Sequence, residues 1–330
     1  MLEHGGRLRK AVEHYGIAEA DWLDLSSGLA PWPWPIPPIP ERAWARLPET
    51  DDGLERAACT YYGAPRVLPV PGSQAAIQLL PRLRRSGKVG VLSPCYAEHA
   101  EAWRRNGYIV REVLEHEVEF FLDSLDVLVV VNPNNPTGLS LTPEQLLQWH
   151  ARLAQRGGWL VVDEAFMDNT PQRSLAAHSH KVGLIVLRSF GKFFGLAGAR
   201  LGFVLAEGKL LKLLAEQVGP WAVSGPTRVV GQVCLGDTAG HERQRVRSEQ
   251  ASQRLVELLT RFDLAPQGGC ALFQWLMTSR AERLYEFMAR RGILLRLFAQ
   301  NSSLRFGLPA NDTDWLRLEQ ALRAFAEEQS

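Results

Sequence analysis

Four short segments of this 330-residue chain carry residue types whose chemistry is informative. Pro71-Gly72-Ser73-Gln74 lies between an apolar run and a stretch of helical spacing. Free N–H groups at a helix start, a glycine that permits close approach and a hydroxyl together make an anion site; by itself Ser73 serves equally as an ordinary N-cap. Asn132-Pro133-Asn134-Asn135-Pro136-Thr137-Gly138 follows the apolar run Val127–Val131. Ligands of open α/β sheets bind beyond the carboxyl ends of strands, although Asn, Pro and Gly are also common turn residues. A cis Asn135–Pro136 bond is expected here. Asp163, in Asp163-Glu164-Ala165-Phe166, ends the run Trp159–Val162. A carboxylate after a buried strand is costly unless something meets it, and the candidates are a salt-bridge partner, a helix cap or a protonated heterocycle. Lys192 sits between Ser189 and Arg200 in a glycine-rich, aromatic run with no other charge. A partly desolvated lysine can form a Schiff base with a carbonyl compound, whereas a lone lysine is most often a surface charge.

The elements that must position these residues alternate from about residue 67 to 217. Val67–Val70, Val89–Leu92, Tyr108–Val113, Val127–Val131, Trp159–Val162, Val182–Leu187 and Leu201–Leu205 have strand character. Helical spacing covers 73–83, 98–105 and a stretch to about 156 that opens on a Thr142-Pro143-Glu144-Gln145 capping box. Val127–Val131 is continuously apolar, as in a strand buried on both faces of a parallel sheet. Such alternation predicts a doubly wound α/β domain. After about Pro226 a long helix (242–262) precedes three short strands, Leu272–Leu276, Ile293–Leu297 and Ser303–Phe306, with helices over 281–291 and 314–327. This predicts a smaller α+β domain. Pro31-Trp32-Pro33-Trp34-Pro35 and the residues to Pro40 can be neither helix nor central strand, so they form an extended link. The expected division is an N-terminal arm over 1–35, a large domain over 36–222 and a small domain over 223–330.

Composition narrows the function classes. Lysine and arginine (37) balance aspartate and glutamate (36), which removes the electrostatic case for a nucleic-acid or polybasic membrane binder. The 46% hydrophobic content excludes a disordered chain, and no apolar run reaches the roughly 18–20 residues of a membrane span. Without an apolar segment behind the charged start, no signal peptide is expected. The scattered cysteines Cys59, Cys95, Cys234 and Cys270 suit reduced thiols in a cytoplasmic protein. The histidines show no metal-ligand spacing. Glu112, Glu115, Glu117 and Glu119 suit a solvated edge, and Trp315, Leu318, Leu322 and Phe325 a core stripe. The ten tryptophans suit packing or a subunit interface.

Taken in order, the anion loop, N-P-T-G, D-E-A-aromatic, S-x-x-K and R-x-G-F resemble the fold-type-I pyridoxal-phosphate enzymes of the aminotransferase family, with the histidinol-phosphate-aminotransferase-like branch nearest. The likeness runs from about residue 24 to 310. The start of the chain, His4-Gly5-Gly6-Arg7, then Trp22 to Gly28 and the Trp-Pro run, is similar to the L-threonine-O-3-phosphate decarboxylases of cobalamin biosynthesis.

That resemblance implies pyridoxal 5'-phosphate as cofactor, a mostly parallel sheet in a large domain with a smaller α+β domain, and a homodimer with active sites at the interface. It implies Lys192 as Schiff-base lysine, Asp163 as partner of the pyridine nitrogen, Tyr96 stacked on the ring and Asn135 on its 3-oxygen. Gly72, Ser73, Gln74, Ser189 and Arg200 would bind the cofactor phosphate. Arg305 would hold the substrate carboxylate and Arg296 the substrate phosphate, helped by His4 and Gly5, with Gly28 on a segment closing over the substrate. The reaction implied is decarboxylation of L-threonine O-3-phosphate to (R)-1-amino-2-propanol O-2-phosphate. The alternative is an aminotransferase acting on a phosphorylated amino substrate such as histidinol phosphate. Phe166, Gly191, Leu47 and Ala30 depart from residues common in the wider family, where tyrosine, serine, tyrosine and asparagine stand. These departures bear on transamination more than on cofactor binding.

Overall fold

The computed structural model describes residues 5–328. His4 therefore lies outside the described residues. In chain order the strands are β1 (Leu23–Asp24), β2 (Leu68–Val70), β3 (Lys88–Leu92), β4 (Ile109–Val113), β5 (Val127–Val131), β6 (Trp159–Asp163), β7 (Leu184–Ser189), β8 (Gly202–Leu205), β9 (Gly268–Cys270), β10 (Phe273–Met277), β11 (Ile293–Leu294), β12 (Arg296–Phe298) and β13 (Ser303–Gly307). Two compact units form. The larger comprises Trp34–Asn135 and Leu139–Glu242; the smaller comprises the described residues up to Pro33, Pro136–Gly138 and those from Arg243 onward. The sequence expectation set the division at 222. The helix Gly225–Gly236 belongs instead to the larger unit, where it packs against the helix Leu54–Tyr62.

The larger unit holds a seven-stranded sheet in the order β2-β8-β7-β6-β5-β3-β4. The pairs from β4 to β7 are parallel, and β8 runs antiparallel to β7 and β2. Both faces are covered, which is why the central strands are continuously apolar. Leu128 and Val130 point to one core with Leu146, Trp149 and Leu153 of the helix Pro143–Ala154. Val127 and Val129 point to the other, with Ala76 and Ile77 of the helix Ser73–Leu79 and Trp103 of the helix Glu98–Arg105. Thr142 caps its helix as expected, accepting from the Gln145 N–H at 3.2 Å. Among the described residues the cis bonds are Ser93–Pro94 and Asn132–Pro133, not Asn135–Pro136.

The Trp-Pro segment is neither helix nor strand, bends at Pro31 and Trp32, and anchors its tryptophans separately. In the smaller unit Trp32 donates through Nε1 to the Ala310 carbonyl at 2.7 Å, and the Arg247 guanidinium stacks 3.9 Å over its ring. In the larger unit the Trp34 N–H donates to the Phe194 carbonyl at 2.9 Å, and its ring packs on Phe193, Phe194 and His241.

The smaller unit has a four-stranded antiparallel sheet, β12-β13-β10-β9, and a parallel two-residue pairing of β1 with β11. The single run expected over Ile293–Leu297 is two strands. Ile293 and Leu294 pair with Leu23 and Asp24, after which Arg296 to Phe298 pair with β13. A change of partner after Leu294 breaks the run, and apolar pattern alone cannot reveal it. Trp315, Leu318, Leu322 and Phe325 are buried on the last helix, Asp312–Glu327, as their spacing predicts. Among the described residues no helix is long and apolar enough to cross a membrane.

Candidate functional site

In the larger unit the sequence-predicted residues gather at the carboxyl ends of the strands. The helix Ser73–Leu79 starts after Gly72, whose φ is +78° and which offers no side-chain cap to the first turn. Its N–H groups are thus not consumed by a capping side chain, and Ser73 is the first helical residue rather than the cap. A Cβ on residue 72 would come within 2.7 Å of Arg200 Nη2, so only glycine lets that guanidinium lie against the loop. Arg200 itself has φ of +52° and is steadied by donating through Nη1 to the Ala197 carbonyl at 3.2 Å. Backbone donors, a hydroxyl and a guanidinium beside a glycine form a cradle suited to a phosphate.

The Gln74 side chain is engaged within the same corner. Its Oε1 accepts from the Tyr96 hydroxyl at 3.1 Å and its Nε2 donates to Glu98 at 3.1 Å. It therefore braces Tyr96 beside the cradle. Desolvation, with Glu98 and Asp163 nearby, pushes the Tyr96 phenol up to about 12, so its hydroxyl stays protonated as a donor. The Asn-rich segment divides its labour. Asn132 is fully buried and holds Leu141 through both side-chain atoms (2.8 and 3.3 Å), and Asn134 Nδ2 donates to the Pro94 carbonyl at 2.8 Å. Those two are the turn-forming members; Asn135 is the half-buried one.

Asp163 closes β6 and is only 3% exposed. The sequence named no side chain to meet it, and the structure supplies His99. The His99 Nε2 lies 2.9 Å from Asp163 Oδ2, and the Ala165 N–H donates to Oδ1 at 3.1 Å. His99, buried on the helix Glu98–Arg105, also packs edge-on against Tyr96. The sequence signal that could have found it is modest: a histidine three residues after Tyr96 at a helix start. Removing the ring strands a buried carboxylate oxygen, so His99→Leu should destabilise the cofactor-free protein by about 1–3 kcal/mol, read as a lower midpoint in thermal unfolding.

Beyond β7, Ser189 leads into the short helix Phe190–Phe193, which carries Lys192. Phe190 and Phe193 are fully buried and anchor the turn, while Lys192 is half-buried with Nζ 5.6 Å from the Phe166 ring centre. The set therefore contains a cradle suited to an anion, a buried carboxylate, an aromatic side chain and a primary amine. These features fit a phosphorylated, carbonyl-bearing heterocycle.

The smaller unit holds the arginines. Arg296 and Arg305 are directly opposed across β12 and β13. Arg305 is buried, donates through Nη2 to the Ser26 carbonyl at 2.7 Å and lies over Phe273. Burial first, and then the Arg296 guanidinium, push Arg305 down to about 10. It is thus still a cation at neutral pH, in a place where an anion relieves both penalties. The Ser26 carbonyl is also where Gly5 packs, because a Cβ there would collide with that oxygen. The Gly6 N–H donates to Ser26 Oγ at 2.8 Å. Gly28 is buried in the same segment, which the Gly307 N–H secures by donating to the Leu25 carbonyl at 2.8 Å.

The family model for aminotransferase class I and II matches residues 41–324. The chain is 66% identical to the threonine-phosphate decarboxylase of Pseudomonas aeruginosa over 327 residues, covering 99% of both chains. It is 43% identical to the threonine-phosphate decarboxylase of a Sinorhizobium species, with 97% of both covered. Among solved structures, histidinol-phosphate aminotransferase from Sinorhizobium meliloti in complex with pyridoxal-5'-phosphate superposes with a TM-score of 0.82 at 18% identity, over 100% of this chain and 96% of that one. At that identity the structural likeness speaks for the fold.

Proposed function

The chain belongs to the aminotransferase class I and II family, and on that premise we propose that it is a pyridoxal-phosphate-dependent decarboxylase converting L-threonine O-3-phosphate to (R)-1-amino-2-propanol O-2-phosphate in cobalamin biosynthesis. The observation that carries the proposal is the near-full-length identity to the Pseudomonas decarboxylase. The residue types of the site are consistent with it. When bound, the cofactor supplies an electron sink for the pair left on Cα as the carboxylate departs.

The chain's own residues then have distinct tasks. Gly72, Ser73, Gln74, Ser189 and Arg200 would hold the cofactor phosphate, and Tyr96 would lie against the ring. Asn135 would hold the ring's 3-oxygen, to which Phe166 offers no hydroxyl. Asp163, with His99 behind it, would keep the ring nitrogen protonated. Lys192 would hold the cofactor through its amine, and Lys192 or a water would deliver a proton to Cα as CO2 leaves, so that one C–C bond is exchanged for one C–H bond. Arg305 receives the substrate carboxylate and Arg296 its phosphate, two anions for two opposed guanidinium groups.

We also propose a homodimer in the cytoplasm. Ile36, Trp44 and Leu47 are large apolar side chains exposed within one short stretch, which suits burial by a second subunit. Cys59, Cys95, Cys234 and Cys270 are all free thiols, which suits a reducing compartment.

The test is CO2 release from L-threonine O-3-phosphate with no oxo acid present. Stoichiometric CO2 and the amino alcohol phosphate are expected. Amine transfer that depends on an oxo acid, without CO2, would make the chain an aminotransferase instead.

A further inference from the structure

Arg188 lies in β7, one residue before Ser189 and four before Lys192, and it is buried. No task in the proposed reaction falls to it. Its Nη1 donates to Glu164 Oε2 at 2.8 Å, and its Nη2 pairs with Asp168 Oδ1 at 3.0 Å. Both carboxylates are themselves buried. Glu164 also accepts from Ser174 Oγ at 2.5 Å and from the Leu175 N–H at 2.7 Å, and Asp168 accepts from the Tyr61 hydroxyl at 2.9 Å. The guanidinium carbon sits 4.5 Å from the Tyr62 ring centre. One cation thus joins the turn after β6, the loop at 174–175 and the helix Leu54–Tyr62. Buried ion clusters of this kind are often less stable than apolar packing of the same volume, so stability alone is a poor account of this one.

Its place in the sheet suggests the account. Strands β6 and β7 pair in parallel as far as Asp163 and Leu187, and the Glu164 N–H adds one further bond to the Leu187 carbonyl at 2.9 Å. Beyond that rung the chains part. One leads through Phe166 to the turn Met167–Asn169, and the other leads to Ser189 and the helix bearing Lys192. Arg188 spans the fork with both arms of its guanidinium.

We propose that Arg188 is a positioning residue: by clasping Glu164 and Asp168 it sets the spacing between Asp163 at one strand end and Lys192 beyond the other. The inference rests on the assignment of Asp163 and Lys192 to the cofactor made above. A loosened clasp misplaces two groups that must meet one small molecule, and displacements of an ångström are costly for such geometry.

The experiment compares wild type, Arg188→Lys, Arg188→Met and Tyr61→Phe, each prepared free of cofactor. Thermal unfolding of the apoprotein, the dissociation constant for pyridoxal phosphate, and kcat and KM are measured. Lysine keeps the charge but lacks the planar fork needed to bridge both carboxylates. Arg188→Lys should therefore recover most of the apoprotein Tm that Arg188→Met loses. It should nevertheless bind cofactor roughly tenfold more weakly than wild type, with kcat lowered and KM within about twofold. Lower Tm with wild-type cofactor affinity and wild-type kcat below the transition would make Arg188 merely structural and overturn the proposal. Should Arg188→Met fail to fold, Arg188→Lys decides alone: weaker cofactor binding in a folded apoprotein supports the clasp, and wild-type affinity with wild-type kcat overturns it. Tyr61→Phe removes one hydrogen bond to Asp168 but leaves both ion pairs, so it should bind cofactor as wild type does; a loss as large as that of Arg188→Lys would overturn the assignment of the spacing to Arg188. Wild-type apoprotein that binds no pyridoxal phosphate would instead defeat the cofactor assignment itself, an outcome distinct from the others.

Discussion

Lys192→Ala is expected to abolish both turnover and covalent capture of the cofactor. Borohydride treatment of the loaded wild type should fix one cofactor mass on the peptide carrying Lys192, and the same treatment of the variant should fix none. Turnover should fall by at least about 10³–10⁴-fold, the upper range for loss of a positioned proton-transfer group, to which loss of the nucleophile adds. The neighbours of Lys192 explain why nothing replaces it. Phe190, Phe193 and Phe194 are fully buried, and the next cation in the chain, Arg200, is already directed at Gly72. Fold should survive, because Lys192 is half-buried at the end of a four-residue helix anchored by those phenylalanines. A variant that keeps more than about a hundredth of wild-type turnover would mean that another group performs the capture.

The second large effect belongs to Asp163→Asn. The amide is nearly isosteric and keeps hydrogen-bonding atoms towards His99 and the Ala165 N–H, so the local geometry should persist. What it lacks is charge. Breaking a buried ion pair by neutralising one partner costs about 3–5 kcal/mol, which corresponds to roughly 10²–10³-fold or more in kcat if the protonated ring is needed at the barrier. Cofactor should still bind, since the phosphate cradle and Lys192 are untouched. The measurement is kcat for CO2 release alongside cofactor content. A loss of less than about fivefold would show that the ring nitrogen needs no anionic partner here.

Arg296 and Arg305 illustrate how far residue pattern reaches. The family resemblance pointed to each of them. That they oppose one another depends on β12 and β13 being antiparallel in one particular register. The same run of sequence, 293–297, also hid a change of pairing partner, because apolar character reports burial and says nothing about which strand is alongside. Asn132, Asn134 and Asn135 make a similar point. Their types mark a loop of interest, yet only the contacts of Asn132 with Leu141 and of Asn134 with Pro94 separate the scaffold members from Asn135.

By itself the sequence determined the doubly wound architecture of the larger unit and marked four segments, Lys192 and Asp163 among them, as candidates for its chemistry. These are local properties: strands buried on both faces must be continuously apolar, and loops at their carboxyl ends must carry the polar residues a ligand needs. Only the tertiary structure decided that His99 meets Asp163 across 64 positions, that Arg188 clasps Glu164 and Asp168, and that Gln74 braces Tyr96. A buried charge looks the same in sequence whatever neutralises it. Its partner follows from the order of the strands and the helices laid over them, which the packing of the whole unit decides.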